Sequence, residues 1–212
     1  MSFSPAEIRF LSSHRDDIAR VAASGEVALT KKSAIADRTV LSKLFDDQAR
    51  AVMELLQARQ TLAPKLAGPA ADWMADSDSA QQATPFAVSQ VRAGRIAAAG
   101  ASLVHDVTCS IGTEAPAVTA KGVDWLGTDL DFSRLLMARE NVSVGGAAGR
   151  AWVAQADALA PVTTPASSPG PIRACSGTGA RPGRVIVADP ARRADGRRIT
   201  CLLYTSPSPR DS

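Results

Sequence analysis

The chain has 212 residues, 45% of them hydrophobic and 21% charged, a length that makes one to two domains and buries a core without staples. A net charge of +3 is too small to imply nucleic acid, and three cysteines without disulfide or zinc spacing suit a reducing cytoplasm. No apolar run is long enough to span a membrane, and the opening MSFSPAEIRF has no basic region followed by an apolar one, so no secretory leader is expected.

The first hundred residues read as helices. Ser4-Pro5-Ala6-Glu7 offers a capping box with proline at the first helical position. Ile8, Leu11 and, after a break, Ile18 and Val21 supply an apolar stripe. A second helix is expected over residues 46–63, with Ala49, Val52, Met53, Leu56 and Ala63 on one face and Asp46 and Asp47 at the positive end of its dipole. Pro64 and Gly68-Pro69 then break the chain. A third helix is expected from an N-cap at Thr84, with Pro85 next, through Val88, Val91 and Ile96 to Gly100.

The pattern changes after residue 100. Residues 103–108 (LVHDVT) are a short β-prone run, and residues 123–128, 151–154 and 184–188 are three more. An Ala-rich helical stretch separates the first two, and a helix over 132–141 follows the second, with Leu135, Leu136 and Ala138 inward. Strands alternating with helices imply parallel β-α-β units. The fold class is therefore α/β: a helical region over 1–100, then about four parallel strands of a partial Rossmann-like sheet over 101–200.

Residues 163–183 are rich in Pro, Ser, Gly and Thr. So long a stretch without structure is unusual inside a compact domain, and it reads as a surface insertion or a frameshifted segment. Residues 201–212 stand apart. Their CLLYTSPSPRD resembles the in-frame translation of a sequencing adapter, the alternative being a Ser/Pro-rich tail. On the first reading the natural frame continues beyond Thr200 and the fourth strand is a bare edge. The 212 residues by themselves are then expected to be poorly soluble and inactive.

The richest chemical signal is D-V-T-C-S-I-G-T-E, residues 106–114, directly after the first strand. Nucleotide cofactors bind at the carboxyl ends of parallel strands, where a turn of small residues lets the backbone approach. Cys109, Ser110 and Gly112 are small enough. The dinucleotide fingerprint needs three glycines, and this loop has one. Asp129, 23 residues after Asp106, ends the second strand, where a carboxylate can accept hydrogen bonds from both ribose hydroxyls. Asp131 rivals it but suits better as the N-cap of the next helix. Asp157, after the third strand, can accept from an adenine amine or serve as a turn residue. His14 reads as an exposed residue between helices, His105 as structural, and Trp73 and Trp125 as core.

In this order, D-V-T-C-S-I-G-T-E, then G-T-D-L-D before a helix with M-A-R-E-N, then A-D-A, the chain resembles class I S-adenosylmethionine-dependent methyltransferases. Q-Q-A-T-P at 81–85 with Arg92 and Arg95, and V-A-D-P-A-R-R at 187–193 with Gly196-Arg197-Arg198, resemble one bacterial branch, the methyltransferases with a THUMP-like C-terminal domain. The resemblance spans residues 4–200 apart from 163–183. It implies a seven-stranded sheet preceded by helices, a downstream substrate domain and an RNA-type substrate. It also implies S-adenosylmethionine as cofactor, held by Asp106, Thr108, Ser110, Gly112, Asp129 and Asp157.

Two departures matter. The class usually has glycines where Thr108 and Ser110 stand, so this loop is tighter. Amino-group methyltransferases carry Asp or Asn followed by Pro-Pro-Tyr, whereas this chain has Asp189-Pro190-Ala191-Arg192 without the aromatic platform, which counts against base N-methylation. The resemblance still sets Asp189 and Pro190 beside the transferred methyl. There Asp189 can accept a hydrogen bond from an attacking N–H or take its proton; alternatively the pair shapes a turn. Residues 170–200 hold seven arginines against two aspartates, a surface for an anionic partner or a solvated loop. The reading is thus a cytoplasmic methyltransferase acting on RNA, with no metal and no membrane partner. Its rivals are a nicotinamide-dependent oxidoreductase on the same fold and a non-catalytic RNA-binding module.

Overall fold

The computed structural model describes residues 3–66, 68, 70–143, 148–163, 183–189, 193–194 and 197–198. Helix α1 (Pro5–Ser13) begins with the expected box: the Glu7 amide donates to Ser4 Oγ at 3.2 Å, and the Ser4 amide donates to Glu7 Oε2 at 2.8 Å. Helix α2 (Arg15–Ser24) follows and stops at Gly25, which takes the left-handed C-cap conformation. Helix α3 (Ala34–Phe45) has no counterpart in the sequence reading. It is anchored by Asp37, whose buried carboxylate accepts from the Ala28 and Leu29 amides at 3.0 and 2.9 Å.

The helix expected over 46–63 starts later. Asp46–Gln48 form a 3-10 turn, and α4 runs Ala49–Leu62. Asp46 has a φ of 45°, left-handed backbone that interrupts regular helix. Ala49, Val52 and Leu56 are buried as expected, but Ala63 lies past the helix end and is exposed. Helix α5 (Ser77–Gln82), also unforeseen, is capped by Asp76, which accepts from the Ser79 amide at 2.8 Å. Helix α6 (Phe86–Ala98) takes Pro85 rather than Thr84 as its N-cap. Ser89, Ala93 and Ile96 face inward, while Val88 and Val91 are about half exposed.

The remaining elements alternate as the sequence implies: β1 (Ala101–Asp106), α7 (Ala115–Thr119), β2 (Asp124–Asp129), α8 (Phe132–Val142), β3 (Ala151–Gln155) and β4 (Gly183–Val187). The four strands form a parallel sheet in the order β3-β2-β1-β4. This is an α/β fold with a partial Rossmann-like sheet. Two short strands, β5 (Arg193–Ala194) and β6 (Arg197–Arg198), pair antiparallel. The chain winds outward from β1 to β3, then returns to lay β4 on the other side of β1. Open α/β sheets bind their ligands at such a reversal, outside the carboxyl ends of the strands.

Two buried clusters make the core. Leu11, Ile18, Leu41, Leu55 and Leu62 centre the first, which also takes in Ile111 and Met137 from beyond residue 100. The second packs Val104, Val118, Trp125, Leu135 and Ala138 between the sheet and its helices. Leu136, expected inward with Leu135, instead leans half-buried on the first cluster. Asn141 rivets α8, which carries Leu135 and Ala138 of the second cluster, to the first. Its Nδ2 donates to the carbonyls of Met74 and Ile111, both at 2.9 Å, and its Oδ1 accepts from the Met74 amide at 2.7 Å.

Trp125 is fully buried and folds back over Gly127, where an added Cβ would stand 2.1 Å from ring carbon Cη2. Glycine at 127 is therefore a requirement for space. Among the described residues, no helix is long and apolar enough to cross a membrane, and no group of three His, Cys, Asp or Glu side chains is set to hold a metal ion. Pro190, residues 164–182 and everything after 198 lie outside the described residues.

Candidate functional site

The loop leaving β1 is clamped on both sides. Val107 N donates to Val187 O of β4 at 2.9 Å, and Cys109 N donates to Thr128 O of β2 at 3.0 Å. Between these clamps and α7 the chain makes a tight turn, closed by Gly112 N donating to Cys109 O at 2.8 Å. Gly112 (φ 76°) and Ser110 (φ 50°) both take the left-handed conformation. For serine this costs about 1–2 kcal/mol, offset here because its amide donates to Asp129 Oδ2 at 3.0 Å. The other oxygen of Asp129 accepts from the Asp131 amide at 3.0 Å. Asp131 caps α8 as expected, accepting from the Ser133 and Arg134 amides.

Above this loop lies a cavity of about 720 Å3, within the range typical of small-molecule sites. Asp106, Asp129 and Val187 bring the ends of β1, β2 and β4 to its floor, and Thr108, Ser110 and Asp189 join them. One wall comes from the helical region: Gln82, Ala83, Thr84, Pro85, Val88 and Arg92. Residue Gly112 shapes the loop from behind and does not line the cavity.

Asp106 is 5% exposed, and its Oδ1 accepts from the Thr108 amide at 3.3 Å. Burial, with the nearby Glu114 carboxylate adding to it, pushes the Asp106 carboxyl up to about 7. Glu114, at the start of α7, is itself buried and forms an ion pair with Arg92 of α6. Burial raises its carboxyl above the ordinary value, with Arg92 opposing the shift. The buried Cys109 thiol is pushed up by burial, so it stays protonated and unreactive. Asp189 is exposed at the end of β4, and its amide donates to Thr108 Oγ1 at 2.9 Å.

Five of the eight candidate residues thus converge on one cavity: Asp106, Thr108, Ser110, Asp129 and Asp189. Asp157 does not join them. It is exposed after β3, outside the lining, and its Oδ1 accepts from the Leu159 amide at 2.9 Å in a local turn. His105 is buried between Thr128 and Thr163, at 3.0 and 2.6 Å from their hydroxyls. Burial lowers its pKa, which keeps it neutral and structural. His14, expected exposed, is half-buried and stacks on Phe10 at 4.0 Å between ring centres.

No protein-family model matches the chain. Two proteins of Mycobacterium tuberculosis, from strains CDC 1551 / Oshkosh and ATCC 25618 / H37Rv, are each 36% identical to it over 159 residues. Both are named uncharacterized S-adenosylmethionine-dependent methyltransferases. The chain is similar to these methyltransferases. The match takes in 73% of this chain, which spans 38% of the length of each relative.

Three ionic residues of the cavity carried no role in the sequence reading. Glu114 closed the quoted motif and Arg92 followed Q-Q-A-T-P, but nothing in their spacing announces a pair between two helices. Arg134 also lines the cavity, from the first turn of α8. Its one sequence signal is its place three residues after the Asp131 cap.

Proposed function

We propose that the chain carries the cofactor site of a class I S-adenosylmethionine-dependent methyltransferase acting on RNA. The observation that carries this reading is the one-glycine loop tied to Asp129 above Asp106, at the reversal point of the sheet and beneath a cavity of about 720 Å3. The similarity to the two mycobacterial methyltransferases supports it independently.

The residues fit that cofactor. Each oxygen of Asp129 accepts one backbone amide, which leaves lone pairs for ribose hydroxyls. Ser110 Oγ is buried in the lining with no partner among the described residues, a hydroxyl available to a ligand. Asp106 and Thr108 complete the floor, and Gly112 holds the loop's turn. Asp157 lies outside the lining, so this reading gives it no contact with the cofactor. The bound cofactor would supply an activated methyl group on a sulfonium. The protein's share is orientation and electrostatics. Asp189, exposed at the rim, can accept a hydrogen bond from an attacking N–H or take its proton, and the resemblance sets Pro190 beside the same methyl.

A dinucleotide suits the cavity less well. Its pyrophosphate would face Asp106 and Glu114, and the loop has one glycine where the fingerprint has three. RNA as acceptor rests on the resemblance to the THUMP-like branch and on the arginines of residues 173–198. Titration calorimetry against S-adenosylmethionine and NAD tests the cofactor: binding of the first without the second is expected, and the reverse overturns the reading. RNA affinity falling steeply with salt is the corresponding result for the acceptor; salt-independent or absent binding removes it.

A further inference from the structure

One wall of the cavity hangs on a short helix. Gln82 ends α5, and Ala83, Thr84 and Pro85 carry the chain from there to α6, all four lining the cavity. Among the described residues, no hydrogen bond ties Ala83 or Thr84 to the strands or to the loop after β1. The wall therefore stands where its two ends put it. At one end, α6 is held to the start of α7 by the pair between Arg92 and Glu114.

At the other end, α5 is six residues long, too short to persist on its own. The last carbonyls of a helix have no partner within it. Here Lys65 supplies one. Its Nζ donates to Ala80 O at 2.8 Å and to Gln81 O at 2.7 Å. Lys65 closes the 3-10 turn Ala63–Lys65, directly after the fully buried Leu62 of α4, so the clamp is rooted in the first core cluster. A cation is also favoured at the negative end of a helix dipole. The lysine is half-buried, and among the described residues it has no carboxylate partner. Both of its hydrogen bonds go to the end of α5.

Resting on the methyltransferase reading above, we propose that Lys65 is a positioning residue for cofactor binding, which clamps the end of α5 and so sets the wall of residues 82–85 over the loop. Lys65 is not itself in the lining. A ligand binds only the fraction of molecules whose site is assembled, and its apparent affinity falls in proportion to that fraction. Without the clamp, α5 frays from its C-terminal end and the wall spends most of its time displaced.

Titration calorimetry of the 212-residue chain with S-adenosylmethionine, paired with amide exchange, tests this. Lys65→Met keeps the apolar stem and removes the donors. Affinity is expected to fall about tenfold. The amides of α5 should exchange about tenfold faster, with those of β1 and β2 unchanged. Saturating S-adenosylmethionine should slow the α5 exchange of the variant again, because ligand and assembled wall stabilise each other. Lys65→Arg, which can still donate to two carbonyls, should restore affinity to within about threefold. Lys65→Gln, too short to reach both, should cost about threefold and carries the test if the methionine variant fails to fold. Undiminished affinity in Lys65→Met, or faster exchange spread evenly over the sheet, overturns the positioning role and leaves the cofactor assignment intact. An unaltered chain that binds no S-adenosylmethionine overturns both.

Discussion

Thr108 Oγ1 accepts the hydrogen bond of the Asp189 amide at 2.9 Å. The side chain that departs from the usual glycine therefore ties the loop after β1 to the end of β4, holding Asp189 beside the cavity. Thr108→Val keeps the shape and removes the acceptor. The Asp189 amide is expected to exchange with solvent deuterium about tenfold faster, with little loss of global stability. Thr108→Ser should restore protection, and unchanged exchange in Thr108→Val would show that the tie has no energetic weight.

Asn141 satisfies three buried backbone groups on two other segments. Asn141→Ala leaves them without partners and is expected to lower unfolding free energy by about 3 kcal/mol. Urea denaturation followed by circular dichroism reads this directly. A loss under about 1 kcal/mol would mean that water replaces the amide.

Gly127→Ala places a methyl group inside the ring of Trp125. The indole is fully buried and cannot rotate away, so the strand or the ring must shift. A loss of about 2–3 kcal/mol is expected, together with a changed near-ultraviolet spectrum from Trp125. A native spectrum with full stability would contradict this packing.

The pH dependence of stability should carry the mark of Asp106. Burial first and Glu114 second hold its carboxyl up at about 7 against an ordinary 3.8. Arg92 opposes the shift, while Asp129 adds slightly to it. Because the folded value is the higher one, the native state keeps a proton that the unfolded chain has already lost. The stabilising contribution is whole below about pH 4 and is lost as the pH rises through about 7. Asp106→Asn abolishes the ionisation, so the ligand-free variant should be the more stable of the two at about pH 8, by on the order of 2 kcal/mol. Melting curves at the two extremes test the sign. An advantage at low pH alone would refute it.

Arg92→Ala removes the partner of the buried Glu114 carboxylate. Since the arginine is one-third exposed, screening moderates the loss to about 1–2 kcal/mol. Replacing both residues by methionine should recover most of it, as a buried pair often exchanges neutrally for apolar side chains. A double variant as unstable as the single one would show that Glu114 needs its charge.

Much of this architecture was legible in the chain because local chemistry and tertiary packing agree. Ser4 and Glu7 announce α1, Asp131 announces α8, and four β-prone runs ordered with helices imply a parallel sheet. Helix α3 escaped because its apolar residues point both ways: Leu41 and Phe45 are buried while Ile35 and Leu44 are exposed. Helix α5 is too short, at six residues, to show a period. In the site, the acids at strand ends were readable because a parallel sheet sends every carboxyl end to one rim. Arg92 and Glu114 were not, since they meet only when α6 folds back over the loop. Asp157 illustrates the reverse limit, since a strand-end position did not bring it to the cavity.

The rivet at Asn141, with Ile111 and Met137 sunk among the first helices, has a consequence for how the molecule can be taken apart. The change of pattern at residue 100 marks a seam in the chain, not a line of separation in space. Cutting the backbone there should leave two pieces that travel together through a sizing column. Expressing residues 101–212 without the first hundred should strip the cavity of a wall and lay bare the underside of α8.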